Sequence, residues 1–358
     1  MNRYASCSPT ASVKTTLVCT ALLLGACSTP PVPSDASAAP SPRPPASGPP
    51  VESVAGRIAF QANLANETSG IYVMDADGSN VVQLIDDPTV HELDPTWSPD
   101  GALIAYTTMS ADGSLAGGVF VIDPDETEPI LVDGAFAYAP PAWSPDGALL
   151  AVGGDGSERG IGVYDIARNE LERLTEDGGT APHWAPDGGS IAYNVATDGR
   201  TVQVASGDVH EVTSDDWNDV VGHWTDDGAR LVFVSDRDTD QAAGSRRSWI
   251  VDAAGGEPEL FGDVLGAFAR WPSPDGAWLA YASDDGLHLS RADGSEDRSI
   301  STTIPADQGP SWAPDSTAFV FSTATEEARD LFIMRVDGEA PEQLTFDPSD
   351  ESAPSWGP

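Results

Sequence analysis

The side chains with the most chemical capacity stand in short stretches just ahead of a recurring tryptophan. They are His91, Glu92 and Asp94 before Trp97; Tyr138 before Trp143; His183 before Trp184; Trp217, Asp219 and His223 before Trp224; Arg270 before Trp271; Asp307 before Trp312; and Glu351 before Trp356. Aromatic rings stack on sugars or cations, while carboxylates and imidazoles supply hydrogen-bond acceptors and negative charge. Gathered at one mouth, these residues suit a basic peptide, a loop of a partner protein or a hydroxyl-rich ligand. A second chemistry is open. His91, His183 and His223 converging on a metal would make a carbohydrate-active, lyase-like site.

Other signals of catalysis are weak. Gly-x-Ser-x-Gly and His-Glu-x-x-His are absent; His91-Glu92 runs into Leu93-Asp94-Pro95. The glycine-rich run Gly154-Asp155-Gly156-Ser157-Glu158-Arg159-Gly160 precedes a strand pattern rather than a helix, which argues against a phosphate cradle. Asp75-Ala76-Asp77-Gly78 has acid spacing reminiscent of a calcium loop, but the further oxygen ligands do not follow, so a hairpin turn is the better reading. No catalytic residue, resident metal or cofactor is therefore expected in the first reading.

Such loops need a scaffold, and the tryptophan spacing supplies one. Trp97-Ser98-Pro99-Asp100-Gly101 recurs at Trp143 and Trp184, then in degenerate form at Trp224, Trp271 and Trp312, with a last marker at Trp356. The steps are 46, 41, 40, 47, 41 and 44 residues, the period of a propeller blade of four strands. Pro-Asp-Gly is turn chemistry: Pro presets φ, Asp bonds nearby backbone and Gly accepts positive φ. Short apolar strands follow each turn, such as Leu103-Ile104-Ala105-Tyr106 and Phe319-Val320-Phe321, and third strands such as Ile71-Tyr72-Val73-Met74 end in Asp/Gly hairpins. Arg57-Ile58-Ala59-Phe60 is a second strand lacking a first, and Ser352 to Trp356 is a first strand lacking a second. The two ends complete one another. The expectation is an all-β, seven-bladed propeller over residues 54–358, closed by the C-terminal strand in the first blade, with six blades as the competing count.

These repeats resemble the TolB-type β-propeller family, with its Trp-Ser-Pro-Asp-Gly, Ile-Ala-Phe and Ile-Tyr-Val-Met-Asp-Ala-Asp-Gly elements. The resemblance implies a bacterial envelope propeller. TolB itself carries an α/β domain ahead of six blades and is not lipidated, whereas this chain has a Pro-rich stretch there. Prolyl oligopeptidases share a similar propeller, but their Ser/Asp/His machinery belongs to an α/β-hydrolase domain, which this sequence does not encode.

Ahead of the repeats, residues 1–26 read as a secretory signal, with Arg3 and Lys14 before the apolar run Thr15 to Leu24. Leu24-Gly25-Ala26-Cys27 resembles the lipobox of bacterial lipoproteins, which implies cleavage before Cys27 and a lipid on its sulfur. Ser28 then implies sorting to the outer membrane in a two-membrane cell. Cys7 and Cys19 fall in the removed segment, so the mature chain has no pair of thiols for a disulfide. Residues 27–53 are a Pro/Ser/Ala-rich tether that favours extended polyproline II. Net charge is −40, from 57 acids against 17 Lys and Arg, which excludes nucleic acid as a partner and favours a cationic envelope protein or peptide. A monomer held to the membrane through Cys27 is the expected state.

Overall fold

The computed structural model describes residues 55–358 apart from 64–67, 86, 113–115, 136–138, 155–159, 238–246, 262–268, 284, 303–308 and 326–327. The leader, the tether and Cys27, together with Tyr138 and Asp307, lie outside the described residues.

Among the described residues, twenty-eight strands form seven four-stranded antiparallel sheets, one per sequence repeat. This is the seven-bladed propeller expected from the counting, not the six-bladed alternative. Blade 1 runs outward from Glu351–Gly357 through Arg57–Asn63 and Ser69–Asp75 to Val82–Ile85. The inner strands of blades 2 to 7 are Val90–Trp97, Ala142–Trp143, Thr180–Trp184, Asp219–Trp224, Ala269–Pro272 and Ser311–Trp312. Closure is antiparallel pairing of the C-terminal strand with Arg57–Asn63, Ile58 opposite Trp356. The Asn63 N–H donates to the Asp350 carbonyl at 3.0 Å, and Gln61 Nε2 donates to Ser352 Oγ at 2.9 Å. Joining the ends in one sheet pairs the edge that Arg57–Asn63 would otherwise expose.

The turn chemistry works as the sequence implies. Ser98 Oγ donates to Asp100 at 2.6 Å and accepts the Leu103 N–H at 2.9 Å, while Asp100 also accepts the Ala102 N–H at 3.1 Å. Ser144 with Asp146, Thr225 with Asp227 and Ser273 with Asp275 repeat the arrangement. Those hydroxyl and amide donors hold the four aspartates below their ordinary pKa. In blade 7 Ser316 stands where the others have Gly. It adopts φ 63° and its hydroxyl accepts the Asp275 N–H at 3.0 Å, which offsets the strained conformation.

Neighbouring blades are sealed by a repeated device. Each inner-strand Trp pairs with an apolar second-strand residue: Trp97 with Ile104, Trp143 with Leu150, Trp184 with Ile191, Trp224 with Leu231, Trp312 with Phe319 and Trp356 with Ile58. Indole N–H groups donate across the seam to the preceding blade, Trp143 to the Thr96 carbonyl (3.0 Å), Trp184 to Ala142 (2.9 Å), Trp224 to His183 (2.9 Å) and Trp312 to Trp271 (2.9 Å). Buried apolar clusters span the seams 1/2, 2/3, 3/4, 4/5, 6/7 and 7/1. Large side chains such as Tyr72, Tyr106, Phe233 and Phe321 are fully withdrawn from solvent within this packing.

Candidate functional site

Blade 6 breaks the sealing rule. Its turn reads Trp271-Pro272-Ser273-Pro274-Asp275-Gly276, one residue longer than Trp-Ser-Pro-Asp-Gly. The register shows where the extra residue goes: Pro272 pairs with Leu279 and Trp271 with Ala280. Pro272 therefore holds the position that Trp holds in the other blades, and Trp271 is turned onto the opposite face of the sheet. There it packs with Trp278, Trp312 and Phe319 against blade 7. Gly309 makes this possible. Its φ is +88°, and a Cβ at that position would lie 2.2 Å from the Trp271 indole.

Proline supplies neither an indole filler nor an N–H donor to the seam between blades 5 and 6. Leu279 is consequently only half buried, whereas its counterparts Ile104, Leu150, Ile191, Leu231 and Phe319 are fully buried. Among the described residues no apolar cluster spans this seam. A cavity of about 610 Å³ borders it, lined by residues from blades 4 to 7. Val232 and Val234 supply an apolar wall, Trp271 and Trp312 an aromatic one, and His183, His223, Arg270, Ser248 and Ser311 the polar groups. Such a volume and such a mixture suit a ligand of modest size.

The electrostatics of the cavity differ from those of the chain. No described wall residue is acidic. Burial pushes the His183 imidazole down to about 4, and burial pushes His223 to about 4 as well, helped by repulsion from His183 and Arg270. Both rings are thus neutral near pH 7 and offer hydrogen bonds without charge. Arg270 Nη2 donates to the Phe261 carbonyl at 3.0 Å, and its guanidinium carbon lies 5.1 Å from the centre of the Phe261 ring. Its buried Nε has no hydrogen-bond partner. Burial lowers the Arg270 pKa, because no carboxylate among the described residues compensates the charge.

Of the residues expected to bind, His183, His223 and Arg270 converge here. The acids take other roles. Glu92, Asp219 and Glu351 are buried in their own blades, at 1%, 1% and 0% exposure. Glu92 accepts the Asp87 N–H at 2.9 Å. Asp219 pairs with Arg237 at 2.5 Å; that guanidinium also reaches Asp215 at 3.0 Å and packs 4.9 Å from the Phe233 ring. Glu351 accepts from Thr345 Oγ1 at 3.0 Å, and burial beside Asp347 pushes its carboxyl up to about 9. Asp94 is a bulge residue with φ 55°, its N–H donating to Gln61 Oε1 at 3.0 Å. His91 Nδ1 accepts the Ser69 N–H at 3.2 Å at the junction of blades 1 and 2. Trp217 is 43% exposed, on the loop that enters the blade 5 inner strand. His91 does not join His183 and His223, and among the described residues no group of three His, Cys, Asp or Glu could hold a metal ion. The metal-centred alternative therefore lacks its ligand set within those residues.

Residues 53–204 and 200–358 both match the TolB beta propeller domain. The chain belongs to the TolB β-propeller family. No curated protein matches it by sequence. Solved structures share the fold at low identity. TolB from Acinetobacter baumannii is 18% identical with a TM-score of 0.53, over 85% of this chain and 67% of that one. Oligogalacturonate lyase from Vibrio parahaemolyticus is 13% identical with a TM-score of 0.59, over 78% of this chain and 86% of that one. The β-propeller domain of the Trilobed protease from Pyrococcus furiosus, which has an open velcro topology, is 17% identical with a TM-score of 0.58, over 86% of this chain and 97% of that one. In this TolB-type propeller the C-terminal strand closes blade 1 instead. Pro272, Trp312, Ser311 and Ser248 were not among the residues expected to line a site. For Pro272 the signal was available, as the one-residue insertion after Trp271.

Proposed function

We propose that this TolB-type propeller is a non-catalytic binding protein of the bacterial envelope. It is lipid-anchored through Cys27, held out on the 27–53 tether, and engages a protein or peptide partner at the blade 4–7 cavity. The observation that carries the reading is the unsealed seam. Beside the blade that gives up its sealing Trp lies a cavity that combines an apolar and aromatic wall with polar groups, the mixture that ligand sites use. The exposed apolar residues Trp217, on the loop that enters the blade 5 inner strand, and Val220, on the cavity wall, 43% and 39% exposed, support contact with a macromolecule rather than with water alone. The acidic exterior supports a partner with a basic surface, while the cavity itself takes a group of different character.

Two measurements test this. Cys27→Ser should move the protein from the membrane to the soluble fraction and abolish labelling with a fatty-acid probe; unchanged fractionation contradicts the anchor. In cross-linking of the full-length lipidated protein within intact envelopes, Trp217→Ala combined with Val220→Ser should lose the partner adduct while keeping the wild-type circular dichroism spectrum. An adduct that survives the double substitution contradicts the placement.

A further inference from the structure

Arg270 lacks the partner that many arginines of this chain have. The acids outnumber Lys and Arg by forty, and six of the twelve described arginines sit on a carboxylate: Arg57 on Asp125, Arg168 on Asp165, Arg200 on Asp177, Arg237 on Asp219, Arg291 on Glu296 and Arg335 on Glu342. Arg298 shares the pattern of Arg270, donating to backbone carbonyls with its Nε buried and unsatisfied, but it does not line the cavity. Among the described residues Arg270, on the cavity wall, makes one hydrogen bond, to a backbone carbonyl, and leaves Nε buried and unsatisfied. Removing a guanidinium from water is costly unless an anion or a full set of acceptors replaces the lost hydration, and a half-satisfied cation on a cavity wall is matched by a counter-charge. The protein has many acids with which to pair it and places none on the described wall.

The rest of the wall narrows the class of anion. Arg270 is the one charged side chain among the described wall residues, since both imidazoles are neutral. A dianion such as a phosphate monoester would keep one charge uncompensated, whereas a carboxylate matches one guanidinium in charge and in its two-pronged geometry. The body attached to it meets Trp271, Trp312, Val232 and Val234, which favours a flat apolar group over a polyol. His183, His223 and Ser311 remain to hydrogen-bond the edge of that group.

We infer that the cavity bordered by Pro272 and lined from blades 4 to 7 is a binding site for a carboxylate carried on a flat apolar body, with Arg270 as its counter-charge and the Trp271 and Trp312 wall as its platform. The inference deepens the binding reading by naming the chemistry its cavity accepts. The same chemistry has two sources, a free aromatic acid and the C-terminus of a peptide ending in an aromatic residue, and the two are separable by experiment.

The test is isothermal titration of the full-length protein with four probes: indole-3-acetate, its neutral amide, a pentapeptide ending in Trp with a free carboxylate, and that peptide amidated. At least one carboxylate should bind saturably, and its amide should bind at least tenfold more weakly. Arg270→Gln should remove that discrimination, bringing acid and amide within about twofold. Pro272→Trp, which refills the seam, should abolish binding of both. Binding of the free acid alone assigns the site to small molecules, and binding of the peptide alone assigns it to chain termini. Equal affinity for acid and amide, no binding of either carboxylate at millimolar concentration, or undiminished binding by Pro272→Trp overturns the inference. If Arg270→Gln does not fold, Pro272→Trp and the acid–amide comparison on wild type still decide. Absence of any carboxylate preference in the wild-type protein, with an intact partner adduct, overturns this inference and spares the binding reading. Loss of the adduct in the Trp217/Val220 variant with carboxylate binding retained is the reverse pattern: it leaves both standing and separates the rim from the cavity.

Discussion

The seam between blades 4 and 5 and the seam between blades 5 and 6 share one sheet, yet one is sealed and the other open. At the first, Trp224 fills the space above Leu231, donates to the His183 carbonyl at 2.9 Å and joins Ala185, Val212, Val221 and Phe233 in a buried cluster. At the second, Pro272 stands in the tryptophan's place, Leu279 is only partly buried and a bordering cavity of about 610 Å³ is lined in part by His183, His223 and Arg270. The difference is one inserted residue. It teaches that a repeat architecture can create a site by subtraction: the fold stays closed because the other seams hold it, and the blade that forgoes its filler acquires a pocket.

The largest expected contrast is therefore in stability. Trp224→Ala should cost about 3–5 kcal/mol in urea unfolding, the range for removing a buried aromatic side chain, whereas Pro272→Ala should cost under about 1 kcal/mol. Equal losses would mean that the two seams are packed alike. Arg237→Met comes next. It leaves the Asp219 carboxylate buried without its counter-ion at the start of the blade 5 inner strand, and should destabilise by about 3–5 kcal/mol, with much of the loss recovered when Asp219→Asn is added. A loss below about 1 kcal/mol would show that Asp219 is solvated, as a binding residue would be.

Smaller effects separate the two parts of the ring by pH. Glu351, on the closing strand, has a folded pKa of about 9 against 4.5 unfolded. Its contribution to stability is fully present below pH 4.5 and is lost as pH rises through 9, because the unfolded chain gives up the proton first. Glu351→Gln should flatten that alkaline decline. His183, at the cavity, has a folded pKa of about 4 against 6.5 unfolded. Its contribution is present above pH 6.5 and is lost as pH falls towards 4, so His183→Gln should flatten the acid side instead. Melting temperatures recorded from pH 4 to pH 9 distinguish the two. The same limb responding to both substitutions would contradict the assignment.

The blade count, the turn aspartates and the closing strand were legible because each rests on local chemistry repeated many times: a Trp mark, a Pro-Asp-Gly turn, an unmatched strand at either end. The site was legible only in part. His183, His223 and Arg270 lie one or two residues from the repeat's fixed points, so topology places them at the cavity. Trp271 misled, since its identity marks it as the blade's sealing residue whereas strand pairing gives that place to Pro272; a one-residue slip reverses every side chain. The acids misled for another reason. Nothing in the sequence near Asp219 announces that Arg237, beyond the second strand, folds back to neutralise it, or that Glu92 and Glu351 turn inward onto an amide and a hydroxyl. Loop position predicts exposure only where no partner is within reach, and here the partners are distant in sequence.

The site depends on Pro272 leaving space that a tryptophan fills in the other blades. Thermal unfolding of Pro272→Trp measures this directly. A restored indole facing Leu279 should raise the melting temperature by a few degrees, in line with about 1–3 kcal/mol for a newly buried aromatic side chain in a domain of this size. A lowered melting temperature would show that the seam between blades 5 and 6 has no room for the residue, and would contradict the open seam on which the site depends.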